Sequence, residues 1–281
     1  MRPVTILFLC LLFFHIGSVH GWSNGGYSTS PSTPLIGTHD WIVEKAVDLL
    51  PFNEATIFKN NMKWLGYGTE LPDRDKAQGG FGDSFNHHVY FDEVKRVTDD
   101  AAATRANETY HQSLDLLKSG NFSGGVMLAG AMAHYISDIA VWGHLMGKLT
   151  VWGVEKHHSD YEDYVNNHMS LFSVALINPV NRTSTYQATL DLASDIMFNT
   201  PNATWMDNHY DWNNQQFKGR VVGSLNLAAN HVANVFHTLW LDAGQPIPEM
   251  SLAILPMVII LTTVFLIKRR INPNLESNRA R

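Results

Sequence analysis

Two pairs of residues, each four apart, constrain this chain more than anything else in it: His134 with Asp138, and His158 with Glu162. On an α-helix that spacing sets two side chains on one face, one turn apart. Helix-forming residues surround both pairs, with Leu128 to Ala133 before the first and Tyr164-Val165 after the second, and His144 lies between them. A helix as apolar as the one leading into His134 is buried, and an acid buried with it must be paired or bound to a metal. Imidazole and carboxylate are what zinc takes besides thiolate. Beyond residue 21 the chain has no thiolate to offer, because its only cysteine is Cys10.

The two ends read as an export signal and an anchor. Arg2, the apolar run Val4 to Ile16, and Gly17-Ser18-Val19-His20-Gly21 form a secretory signal with small residues before a cleavage point at Trp22. Met250 to Ile267 carries no charge and is followed by Lys268-Arg269-Arg270. That pattern predicts one C-terminal transmembrane helix with a cytoplasmic basic tail, 268–281. The expected organisation is a signal peptide over 1–21, an exported domain over 22–249 and a membrane helix over 250–267. An exported domain without disulfides calls for another stabiliser. Four glycosylation sequons, at Asn107, Asn121, Asn181 and Asn202, fit an exported surface.

Charge narrows the partners. Without its two ends the domain keeps 14 basic against 25 acidic residues, a net of about −11. Such a surface repels polyanions, so no nucleic acid is expected as a non-specific partner. Several divalent cations would offset part of the excess.

Along the domain the period is helical. Thr38 reads as the cap of a helix bearing Trp41, Ile42, Ala46 and Val47, which Pro51 follows. Further helices are expected over Glu54 to Leu65, Asp99 to Lys118, Gly125 to about Val141, Glu155 to Phe172, Tyr186 to Phe198 and Gly219 to Leu241. Gly66 to Asn86 reads as a functional loop. No strand alternation persists, so the expected fold class is an all-α, multi-helix bundle around a metal site.

Two further pieces complete a pattern: Gly37-Thr38-His39 near the start, and Pro72-Asp73-Arg74 followed by Phe85-Asn86-His87-His88-Val89-Tyr90. With the spread His134, Asp138, His144, His158 and Glu162, the chain resembles the bacterial zinc-dependent phospholipase C family, the clostridial toxin type included. The likeness covers nearly the whole exported domain in order. It implies a trinuclear zinc site. One ion would be held by Asp73, His88, His134 and Asp138. A second would take the Trp22 amine, His39 and the shared Asp138, and the third His144, His158 and Glu162. His88 is preferred to His87 because Val89-Tyr90 follows it and Phe85 stands three residues before; His87 is the alternative.

The resemblance further implies hydrolysis of a phospholipid at the glycerol-phosphate bond by a zinc-bound hydroxide, with Asp138 bridging two ions and Asp73 orienting or deprotonating the water. Phe85 and Arg74 are the expected substrate contacts, Arg74 suiting an anionic head group. Family features absent here are a glycine before the helix aspartate, where Ser137 stands, and a proline two residues before the next histidine, where Trp142 stands. Two alternatives stay open: a single-strand-type zinc nuclease, and a zinc-stabilised surface module without catalysis.

Overall fold

The computed structural model describes Trp22, Gly26, Tyr27, Ser32 and residues 35–244. The expected signal peptide, the apolar segment Met250 to Ile267 and the basic tail lie outside the described residues. Among those described, no helix is long and apolar enough to cross a membrane.

The middle of the bundle is α5 (Phe122–Asp138). Its side chains are buried on nearly every face from Gly125 to Asp138, as its apolar composition requires. Asn121 caps it, accepting a hydrogen bond from Gly124 N at 3.1 Å. Around it pack α1 (Thr38–Asp48), α3 (Met62–Thr69), α4 (Ala101–Lys118) and α9 (Gln215–Asp242). Outside these lie α2 (Phe52–Asn60), α6 (His158–Asn167), α7 (Thr185–Phe198) and the short α8 (Ala203–Asn208).

The tightest contact is between α3 and α5. A Cβ built on Gly130 would fall 2.1 Å from the Leu65 carbonyl oxygen, and one on Gly68 would fall 1.9 Å from that of Met127. Only glycine lets the two backbones approach so closely. That approach sets Thr69, at the end of α3, against His134 on α5.

Several expectations need adjusting. The helix expected over Glu54 to Leu65 is two helices, split at Asn61. The Asn61 amide donates to the Ile57 carbonyl at 2.9 Å and closes α2, while its own carbonyl accepts from Trp64 and Leu65 and opens α3. Thr38 lies inside α1; the cap is Gly37, whose N–H donates to Asp40 Oδ2 at 3.0 Å. Asp99 belongs to a strand rather than a helix. A two-stranded antiparallel hairpin, β1 (Tyr90–Phe91) and β2 (Val97–Asp99), precedes α4 and is too short to leave an alternating pattern.

The helix α9 does two jobs. One stripe, Phe217, Val221, Leu225, Ala228, Val232, Phe236 and Leu239, lies fully in the core. On another face Asn226, Asn230, Asn234 and Thr238 recur every four residues. Their side-chain oxygens accept the backbone N–H groups of Ala175, Ile177, Asn181 and Thr183 at 2.8 to 3.0 Å. An irregular, largely exposed strap is thereby held against the helix without any strand pairing.

Candidate metal centre

Three groups of acid and imidazole side chains converge at one end of α5: His39, His134 and Asp138; Asp73, His87 and His134; and His144, His158 and Glu162. The centre is built around Asp138, the last residue of α5, whose carboxylate is fully buried. His134, one turn earlier, puts Nε2 3.1 Å from Asp138 Oδ2. His39, in the first turn of α1, puts Nε2 3.2 Å from Asp138 Oδ1. His87 Nδ1 lies 2.5 Å from Oδ2, and His144 Nε2 lies 3.8 Å from Oδ1.

Neighbouring groups fix which ring nitrogen faces inward. His134 Nδ1 is 2.8 Å from the Thr69 carbonyl, which can only accept, so Nδ1 carries the hydrogen and Nε2 its lone pair. The Ser137 hydroxyl donates to the His134 carbonyl at 3.1 Å and so accepts from His39 Nδ1 at 2.8 Å. His87 Nε2 donates to the Asp83 carbonyl, leaving Nδ1 turned inward. Asp83 is itself anchored by Arg105 at 2.7 Å and by the Tyr135 hydroxyl at 3.0 Å. This is the outer support that metal-binding histidines require.

Lone-pair atoms therefore face one another in a buried space, where only protons or a cation can lie between them. His39 Nε2, Asp138 Oδ1 and His144 Nε2 have no hydrogen-bond partner. Two ligands on a tetrahedral zinc at about 2.0–2.1 Å stand roughly 3.3 Å apart. The separations of 3.2 Å for His39 to Asp138, 3.1 Å for His134 to Asp138 and 3.2 Å between His87 Nδ1 and His134 Nε2 match that span. The residues present fit zinc.

Proton affinities report the same field. Burial opposes a charge on Asp138, yet His134, His144 and His39 hold its carboxyl well below the usual range. Burial likewise works against a proton on His87, but Asp138 raises it to about 9. His39 goes the other way: burial, with His134 beside it, holds its proton affinity below the usual imidazole range and leaves its nitrogen open to a cation.

The third group forms where the 3₁₀ turn Trp142–His144 meets α6. His158 Nε2 is 2.8 Å from Glu162 Oε1, and His144 Nε2 is 3.7 Å from the same oxygen. The two rings meet edge-on at 4.7 Å. A side chain at Gly143 would strike the His158 ring, its Cβ falling 2.5 Å from Nδ1, so glycine is required there. Burial opposes a proton on His158, but Glu155 and Glu162 raise it to about 10. Glu155 was not read from the sequence; its signal is an acid three residues before the first residue of a helix, where it accepts His158 N at 3.0 Å.

Of the expected ligands, Asp73, His39, His134, Asp138, His144, His158 and Glu162 converge. Trp22 is fully buried with its indole edge-on to His39 at 6.0 Å, which seats this residue beside that group. His88 does not converge. Both His87 and His88 line a cavity beside the centre, but only His87 reaches the cluster. Val89 N bonds the His144 carbonyl and the His88 carbonyl accepts from Ala102 N, which turns the His87 ring to the cluster. His88 stacks instead on Tyr90 at 4.3 Å, with Nε2 3.0 Å from Asp99. His87 takes the place expected of His88.

The cavity, of about 580 Å³, is lined by Asp73, His87, His144 and His158 and also by His88, Asp99 and Lys148. Phe85 stands at its mouth, 83% exposed, with Leu149 at 88% and Val154 at 50%. Arg74 is outside this wall: its guanidinium bonds the Tyr67 hydroxyl at 2.9 Å and lies over that ring.

No protein-family model matches the chain, and no curated protein matches it in sequence. Solved structures do match in fold. Alpha toxin from Clostridium absonum superposes with a TM-score of 0.56 at 15% identity, covering 74% of this chain and 65% of the toxin. Alpha-toxin of Clostridium perfringens, isolated from avian strain SWCP, gives 0.51 at 15% identity, covering 74% and 64%. The chain thus matches slightly less than two thirds of each toxin's length, and the likeness is one of fold.

Proposed function

We propose that the chain is a zinc-dependent phosphoric ester hydrolase of the phospholipase C type, exported and held at a membrane by Met250 to Ile267. The observation that carries this reading is the convergence of three acid-imidazole groups, two of which reach an open cavity through Asp73 and His87 and through His144 and His158. A purely structural zinc site is closed, whereas a catalytic one keeps access for substrate. The alpha-toxin-like fold supports the same class.

His39 and Asp138, joined by the Trp22 amine after cleavage, would hold one ion. Asp73, His87 and His134 with Asp138 would hold the second, and His144, His158 and Glu162 the third. Bound there, the ions supply an activated water and positive charge for phosphate oxygens.

The chain's own groups do the rest. Asp73 is partly exposed to the cavity, so its carboxylate can take a proton from the attacking water, while buried Asp138 cannot reach solvent. Lys148 is among the residues lining the cavity, where its positive charge would attract a phosphate. Thr69 and Ser137 hold His134 and His39 in the tautomers that face inward. Phe85, Leu149 and Val154 leave apolar surface at the mouth, which suits a substrate drawn from a lipid-water boundary rather than a polyanion.

Asp138→Asn tests the reading. Wild-type protein is expected to bind zinc and to release diacylglycerol from phospholipid vesicles, and the variant is expected to lose both together. Lipid hydrolysis that survives the loss of zinc would refute it, and faster cleavage of single-stranded DNA than of lipid would establish the nuclease instead.

A further inference from the structure

Asp207 lies far along the chain from every candidate ligand, yet its carboxylate meets the third group from two sides. It stands on α8, buried to 4% exposure. Its Oδ1 accepts the Trp142 indole N–H at 3.3 Å and the Lys156 backbone N–H at 2.8 Å. Trp142 is two residues before His144, and Lys156 is two residues before His158. The Trp142 ring also packs on Tyr161 at 4.4 Å, and Tyr161 is the fully buried neighbour of Glu162. His144 and His158 are therefore each two residues from a group bonded to one oxygen atom, and Glu162 follows a tyrosine that packs on one of those groups.

The surroundings give that oxygen its importance. Between His144 and α6 the chain runs through turns, with a single bridge from Gly147 to Gly153. Of the other two groups, His39, His134 and Asp138 sit on α1 and α5, whose helical backbones hold their own shape, while Asp73 and His87 lie in the chain between α3 and β1. The third group draws two of its ligands from either side of an irregular segment, so its geometry depends on an outside reference.

We propose that Asp207 is the positioning residue of the His144, His158 and Glu162 cation site, setting the distance between the Trp142–His144 turn and the start of α6. The proposal rests on the zinc reading above. Outer-shell partners of metal ligands are worth roughly 10–100-fold in metal affinity. That loss should fall on one ion and leave the other two in place. Asparagine keeps an oxygen able to accept both hydrogen bonds, so it should restore what alanine removes.

The test is chelator titration of the zinc-loaded full chain in detergent, with zinc per chain counted by atomic emission. Asp207→Ala is expected to weaken one of three ions by about 10–100-fold, with helix content by circular dichroism unchanged, and Asp207→Asn is expected to follow the wild type. A folded Asp207→Ala protein with the wild-type titration overturns the proposal, as does uniform weakening of all three ions. Should Asp207→Ala fail to fold, Trp142→Phe removes the indole donor while keeping a smaller ring on Tyr161. It should weaken the same ion alone, and no change there overturns the proposal. Wild-type protein that binds no zinc overturns the function proposed above, a result distinct from any of these.

Discussion

Gly130→Ala puts the link between helix packing and the metal centre to a quantitative test. The added methyl carbon would sit 2.1 Å from the Leu65 carbonyl oxygen and 3.0 Å from the Gly68 Cα, where ordinary contact begins near 3.4 Å. The shortfall of about 1.3 Å is against backbone, which cannot swing aside, so α3 and α5 must move apart by roughly that much. His134 is one turn further along α5, and its 2.8 Å bond to the Thr69 carbonyl spans the same gap. Lengthened by most of an ångström, that bond is lost. Overpacking costs about 1–3 kcal/mol, and the lost hydrogen bond adds about 0.5–1.5 kcal/mol. A loss of roughly 2–4 kcal/mol lowers the melting temperature of a domain this size by about 4–16 °C. Thermal unfolding of the zinc-free protein measures the packing part, and zinc affinity of the two α5 groups measures the His134 part. An unchanged melting temperature would refute the close-approach argument. A lower one with unchanged zinc affinity would show that the spacing of α3 and α5 does not set the His134 ring.

Two further outcomes follow from the site. His87→Ala should cost one zinc equivalent and on the order of 10²-fold in kcat, the scale of a lost transition-state charge partner, while His88→Ala should keep the wild-type metal content; elemental analysis giving the reverse would return His88 to the cluster. Leu149→Ser combined with Val154→Ser should leave stability within about 0.5 kcal/mol, since both side chains are exposed. Binding to phospholipid vesicles by sedimentation should nevertheless fall roughly tenfold per side chain, at about 1.5 kcal/mol each, and unchanged binding would remove the apolar mouth from the account.

The difference between what the sequence discloses and what it hides has a physical basis here. His134 and Asp138, or His158 and Glu162, share a face because helical geometry is local and the same wherever the helix goes. His87 and His88 are adjacent in irregular chain, and which one reaches the cluster is decided by bonds to His144 and Ala102, distant in sequence. Arg74 follows an aspartate that does reach the cavity, yet it is drawn back to Tyr67, and nothing in a tripeptide reports that choice. The break at Asn61 depends on one amide closing a helix upon itself, a competition with no hydrophobic signature. Asn226, Asn230 and Asn234 do recur at helical spacing, but amides so spaced read as solvent-facing unless the strap they carry is already known.

The strap is fastened at Ala175, Ile177, Asn181 and Thr183 through main-chain atoms alone, and this makes its two sides unequal before mutation. Val174 and Val180 pack on the core and Arg182 pairs with Asp242. At the four fastened places, though, its letters can be rewritten almost freely provided that no imino acid lands on a donating position; Pro179 sits between two of them. The helix has no such freedom, for it must offer a short oxygen-bearing side chain at every fourth place from 226 to 238. Related chains can therefore wear dissimilar straps over the same row of pegs, and that row is the part by which the arrangement would be recognised elsewhere.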